Sequence, residues 1–379
     1  MLNPNAAGLL SDQDVIDHLF KHIDEGTTDL GSQQWKEPVA NYTSQVRFDQ
    51  EIALLRRRPI VFCPSAALPD VGSYITRTAA GTPLLVARGR DNKVRAFINA
   101  CRHRGMQVAN GEGCARSFSC PYHAWTYDLD GSLRGVPGAD GFPGLDLAAN
   151  GLVEVAAWES GGLVYVMQEA QPGSPLPITV YDFFTPDQVL FHQSKTEDSA
   201  NWKLLTETLL EGYHIKSLHR ESFFPYGFDN TNIVENFGEN SRVIYPFKRI
   251  EKLRSVERDQ RDISGMATLV YLLFPNVSIA VLSKHTSVTI IEPISPTETH
   301  MVSYHIKHRD TENAVITLED ARRDLDFVNQ SGQAEDRAAA RAIQETVSTR
   351  ANSHLTFGYY EKAIVAFHQQ LHHALTPQE

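Results

Sequence analysis

Cys101-Arg-His103 and Cys120-Pro-Tyr-His123 each set one thiol beside one imidazole, and sixteen residues separate His103 from Cys120. Two thiolates and two neutral imidazoles are the donor set of a mixed-ligand [2Fe–2S] centre, sulfurs on one iron and nitrogens on the other. Because each pair runs Cys then His, each loop can reach both irons. Imidazole in place of thiolate makes the cluster less negative and lifts its potential above the roughly −400 mV of an all-cysteine plant-type cluster. Such a cluster suits accepting single electrons from a soluble donor. A Cys₂His₂ zinc site draws on the same inventory, but zinc pairs are spaced by two or more residues. One residue between Cys101 and His103 makes joint chelation of one tetrahedral ion awkward.

A second group falls in the segment Asn201 to His219. Glu207 and Glu211 stand four apart and Glu211 and His214 three apart, so a helix over 200–218 would put all three on one face. His219 is five beyond His214, about 140° round an ideal helix. Both can reach one metal only if that helix widens or ends between them, and Gly212 weakens it locally. Two histidines and one carboxylate with open positions form the facial triad of Fe(II) oxygenases. A solvated acidic helix with two incidental histidines is the plain reading of the same residues. Asp324, Asp326 and Asp336 are candidates for a third ligand. His300, His305 and His308 lie on an alternating strand and read as surface residues, whereas His285 could edge a pocket. Phe223 to Phe228 reads as loop packing, and Cys63 and Cys114 as incidental thiols.

These residues need elements to hold them. Ser11 is a plausible N-cap for an amphipathic helix over 11–25, with Val15, Leu19 and Ile23 at helical spacing. From Val46 short β-like runs follow, at 59–63, 83–87, 94–99 and 162–167, the texture of a small antiparallel β domain. The proline-rich stretch 168–177 is the best linker. After it come the helical run over 200–218 and a β-meander over 242–246, 269–274, 277–282, 287–291 and 301–306. Helices over 318–330, 334–350 and 359–375 complete the chain. A sheet gripped by long helices, α+β, is the simplest layered solution.

The 379 residues suit two or three domains. A net charge of −11 argues against nucleic acid or an anionic membrane as partner. No apolar run approaches the roughly 20 residues that span a bilayer. Residues 1–10 do not read as a secretory signal. With four cysteines, a cytoplasmic, reducing setting is expected.

The stretch CRHRG…CPYHAWTYDLDG resembles the Rieske motif of ring-hydroxylating oxygenase large subunits, as do LLEGYHIKSLHRESF and YLLFPNVSIAV further on. The resemblance runs from about Val46 to the C-terminus. It implies a cluster on Cys101, His103, Cys120 and His123, with Gly105 and Pro121 shaping the loops and Trp125 packed behind the second. It also implies Fe(II) on His214, His219 and Asp336, the last because Gln333-Ala-Glu335-Asp336 is similar to the family's segment before its long terminal helix. Glu211 stands where the family often has Asp. Its carboxylate would bridge His214 to the cluster histidine of a neighbouring subunit. The implied architecture is a small all-β Rieske domain (46–167) inserted into a helix-grip, START-like catalytic domain (168–379), with residues 1–45 packed on the latter. Implied too are O₂ as co-substrate, electrons from NAD(P)H through a flavin reductase with or without a ferredoxin, and a head-to-tail homotrimer. An aromatic or polycyclic hydrophobic substrate is expected. The alternatives are a quaternary amine of the choline, betaine or carnitine kind, which needs an aromatic cage, and a non-catalytic electron carrier with a ligand-binding domain.

Overall fold

The computed structural model describes residues 8–179, 181–310, 315–330, 332–349 and 351–376. The chain divides into two compact units: Ile52–Asp187, and the flanking segments up to Glu51 and from Gln188 onward.

In the flanking unit, helix α1 (Asp12–Glu25) starts at Ser11, whose side chain accepts the Asp14 N–H, and ends on left-handed Gly26. Its stripe of Val15, Ile16, Leu19 and Phe20 is buried. Helix α2 (Gln45–Arg56), whose last five residues belong to the other unit, replaces the β texture expected from Val46. Its buried set of Phe48, Glu51, Leu54 and Leu55 includes a carboxylate, which hides the helical pattern.

A seven-stranded antiparallel sheet follows, in the order Leu190–Asp198, Glu298–Lys307, His285–Ser295, Val277–Val281, Ala267–Leu273, Asn240–Pro246, Ile233–Phe237. It is a meander from Ile233 to Lys307, with the first strand in sequence paired onto the last. Direct pairing puts His192, His305, Ser287, Ala280, Val270 and Val243 in one row across one face. Helices α3 (Trp202–Glu207), α4 (Ile215–Leu218), α5 (Leu318–Gln330), α6 (Gly332–Val347) and α7 (Lys362–Leu375) complete the unit. The face carrying that row meets α5 through a bond from His285 to Asp324, while α1 lies toward the opposite face, where Arg242 donates to Leu10 O. Helix α6 stops at Val347. Arg350, to which the sequence extends it, lies outside the described residues.

The helix expected over 200–218 is interrupted. It ends at Glu207 and only a single turn, α4, follows. Leu209 and Leu210 N–H groups bond three residues back rather than four, which tightens and ends the helix. Gly212 passes so close to Asn232 that a Cβ there would lie 2.8 Å from its Oδ1.

The other unit is built on β structure: seven antiparallel strands ordered Ile60–Pro64, Leu163–Met167, Glu154–Ser160, Val94–Ile98, Thr82–Arg88, Ser73–Ala79, Glu112–Cys114, plus a three-stranded sheet of Phe118–Ser119, Thr126–Tyr127 and Leu133–Gly135. Its limits lie at 52 and 187 instead of 46 and 167. The stretch after Met167 folds back: Phe183 and Phe184 N–H both donate to Gly161 O, and Phe184 occupies the space where a Gly162 side chain would be.

Candidate metal centres

Two loops of the β unit share one backbone design. Cys101 N–H donates to Met106 O and Gly105 N–H to Cys101 O; Cys120 N–H donates to Trp125 O and Ala124 N–H to Cys120 O. The fifth residue of each loop is left-handed, Gly105 at φ 78° and Ala124 at φ 57°. A glycine suits that conformation and an alanine strains it. Both thiols are buried in a core with Phe97, Trp125 and Tyr127, while His103 and His123 stand nearer the surface. The two Nδ1 atoms converge to 3.1 Å. His103 stacks on Trp125, ring centroids 5.0 Å apart and planes 10° apart. The Tyr127 hydroxyl sits 3.2 Å from Cys101 Sγ and accepts the Arg102 N–H. Buried sulfur on one side and converging imidazole nitrogens on the other fit a mixed-ligand [2Fe–2S] cluster.

The second centre lies in the flanking unit. His214 and His219 cap the two ends of α4, and Asp336 lies in the first turns of α6. His214 Nε2 and His219 Nε2 are 3.1 Å apart, and Asp336 Oδ1 lies 3.4 Å and 3.1 Å from them. Donors about 2.1 Å from an octahedral ion and at right angles stand about 3 Å apart. The triangle therefore fits the facial triad. Asp336 Oδ1 has no aligned hydrogen-bond partner among the described residues although both imidazoles are near, as expected when three lone pairs point at a common centre.

Carboxylates fix both rings. Glu211 contacts His214 Nδ1 through Oε1, and its Oε2 accepts the Tyr213 and His214 N–H groups. Glu335 Oε2 lies 2.6 Å from His219 Nδ1 and takes the Ser222 hydroxyl. Each ring thus presents Nε2 inward. Burial alone would lower the His214 pKa, but the Asp336 and Glu211 carboxylates outweigh it and bring it to about 10. His219 is raised in the same way by Asp336 and Glu335 against burial. Burial would raise Asp336, yet the two imidazoles pull it down. The middle of the triangle favours positive charge, and a metal ion binding there must displace protons.

Glu207 is not on this face. It accepts from Tyr42 Oη at 2.7 Å and pairs with His368 Nε2 at 2.9 Å, both buried. Asp324 serves His285, and Asp326 is exposed. His305 is buried rather than on the surface, because its strand face is the gripped one. Phe223 packs on the His219 ring at 5.0 Å. Cys63 is buried and Cys114 exposed. Glu197, Glu298 and His300 also cluster, at exposed strand positions where such groups are common without an ion.

The family model for the ring hydroxylating alpha subunit (catalytic domain) matches residues 186–376, and that for the Rieske [2Fe-2S] domain matches 58–152. The chain belongs to the ring hydroxylating alpha subunit family. This alpha subunit is 29% identical over 294 residues to the glycine betaine monooxygenase oxygenase subunit of Chromohalobacter salexigens, covering 65% of each chain. It is 31% identical over 195 residues to the carnitine monooxygenase oxygenase subunit of Acinetobacter baumannii, covering 49% of this chain and 53% of that one. The alpha subunit thus spans between about half and two thirds of these relatives. A crystal structure of a quaternary ammonium Rieske monooxygenase shares the fold, with a TM-score of 0.76, 22% identity, and 97% and 99% of the two chains covered. No helix among the described residues is long and apolar enough to cross a membrane.

Proposed function

We propose that this alpha subunit is the terminal oxygenase of a Rieske system that oxidises a quaternary amine. The observation that carries the oxygenase reading is the triangle of His214, His219 and Asp336, with both imidazoles held at Nδ1 by carboxylates. When bound, a [2Fe–2S] cluster supplies single electrons and Fe(II) supplies dioxygen chemistry. Cys101, His103, Cys120 and His123 would hold the cluster; His214, His219 and Asp336 would hold the iron.

The protein's own work is positional. Glu211 and Glu335 fix the tautomers and aim both Nε2 atoms. Asp336 brings one negative charge into a buried setting. Phe223 shields one face of His219. A reductase drawing on NAD(P)H, with or without a ferredoxin, belongs to this reading, as does a cytoplasmic setting. So does a homotrimer in which Glu211 connects His214 to the cluster histidine of a neighbouring copy. Sedimentation showing an active monomer overturns the trimer.

The substrate class follows the relatives, whose names point to betaine and carnitine rather than to the aromatic compounds expected from local sequence texture. Oxygen uptake coupled to product, measured with trimethylammonium compounds and with aromatic hydrocarbons, tests it. Product from aromatic compounds alone overturns the quaternary-amine reading. Undiminished product from His214→Ala overturns the site.

A further inference from the structure

The two faces of the catalytic sheet differ in chemistry. One carries Ile279, Val288, Ile290 and Ile306. The gripped face carries Ser278, Ser287, Thr289, His285 and His305, all buried. Tyr245 lies on that same face, and its hydroxyl donates to Leu209 O in the segment leading to His214. Ala280, on the central strand of the row, is partly exposed although strands flank it on both sides. The gripped face thus keeps some solvent access at Ala280, next to the hairpin at 282–284.

Most polar groups there satisfy one another. Thr289 Oγ1 and Ser303 Oγ are 2.9 Å apart, Ser287 Oγ and His305 Nδ1 2.8 Å, and His285 Nδ1 and Asp324 Oδ2 2.9 Å. What remains is Nε2 of His285 and Nε2 of His305, neither with a partner among the described residues. The residues are 0% and 1% exposed, and their ring centroids lie 5.6 Å apart. An unpaired buried polar atom costs about 1–3 kcal/mol, and native proteins keep few of them.

The partners limit what each ring can offer. The Asp324 carboxylate only accepts, so His285 Nδ1 donates to it. Burial, reinforced by His285 and His192, pushes the His305 pKa down to about 3, so that ring stays neutral. Ser287 Oγ can donate to His305 Nδ1 or accept from it, so His305 Nε2 donates or accepts accordingly. A group that both gives and takes a hydrogen bond can answer this pair in either arrangement.

We propose that His285 and His305 together bind a hydroxyl group of the substrate. A hydroxyl gives one hydrogen bond and takes one, whereas a carboxylate only accepts and a trimethylammonium group does neither. The inference rests on the quaternary-amine reading above and narrows it to a hydroxylated member of that class.

The test is equilibrium titration calorimetry of the oxidised holoenzyme, without reductant, with L-carnitine and with γ-butyrobetaine, which lacks only the hydroxyl. Carnitine is expected to bind about tenfold tighter or more. His285→Phe and His305→Phe, each checked for retained cluster absorption, are expected to bring the two affinities together. Equal affinities in the wild-type protein, or a preference that survives both substitutions, overturn the hydroxyl site and leave the quaternary-amine reading standing. Failure of the wild-type protein to bind either compound overturns the hydroxyl site and leaves the quaternary-amine reading to its own turnover test. The wild-type comparison decides even if a variant does not fold.

Discussion

Replacing Tyr127 by phenylalanine isolates one hydrogen bond at the proposed cluster. The Tyr127 hydroxyl accepts the Arg102 N–H at 2.9 Å, so its own hydrogen is free to point at Cys101 Sγ, 3.2 Å away. Burial raises its pKa, and the bond to Cys101 adds to that, so it remains a protonated donor. Reduction adds an electron to the cluster, and a donor on a coordinating sulfur favours the more negative, reduced form. A differential contribution of about 1 kcal/mol corresponds to about 40 mV for a one-electron couple. Tyr127→Phe should therefore lower the cluster potential by about 40 mV. Arg102 is exposed, so water can take over its N–H and the fold should be little disturbed. A potentiometric titration that follows the paramagnetic signal of the reduced cluster measures the shift. An unchanged or raised potential would refute the reasoning, since it would mean that this hydroxyl does not stabilise charge on the sulfur.

Other consequences concern the catalytic unit. Lys203 and Glu51 are 0% and 1% exposed and 2.9 Å apart, so Glu51→Gln should strand a buried ammonium and cost about 3–5 kcal/mol in urea unfolding. Glu37 is buried, which would raise its pKa, but His372, His368, Asn41 and Trp35 bring it down to about 2. Its folded value is depressed, so its stabilisation, about 3 kcal/mol, is present above the ordinary carboxylate range and fades as pH falls from about 4.5 toward 2. The stability gap between wild-type protein and Glu37→Gln should shrink across that window, and a constant gap would contradict the assignment. At Gly332, a Cβ would sit 1.8 Å from the Phe223 ring. Since Phe223 packs on His219, Gly332→Ala should reduce iron retention at the second centre while leaving the cluster spectrum intact, as metal analysis would show.

The chemistry was more legible in the sequence than the geometry. Cys101, His103, Cys120 and His123 lie in short loops, where spacing alone constrains what they can share. The His214 and His219 pair was legible as an obstacle, because a continuous helix could not bring both to one ion. The break, however, precedes His214 rather than falling between the two. The residues Thr208 to Glu211 carry no local signal for it, since the causes are tertiary: Gly212 pressed against Asn232 and Tyr245 bonded to Leu209 O. The same holds for Glu207, whose face was assigned on a helix that ends with it. Glu335 as the partner of His219 could not be read from spacing, because the two lie 116 residues apart. The strand Leu190–Asp198 carries little signal in the sequence, because most of its side chains are polar and only partly buried, as suits an edge. Strand alternation says which residues share a face and not which face is covered, so it carries no sign that His305 is buried.

Iron and acid-labile sulfide, counted per chain in protein prepared anaerobically with ample iron, test the two-centre account most directly. One [2Fe–2S] cluster and one mononuclear site predict about three irons to two sulfides, falling to about two and two in His214→Ala. Zinc at either place, or a one-to-one ratio in the wild-type protein, would contradict it.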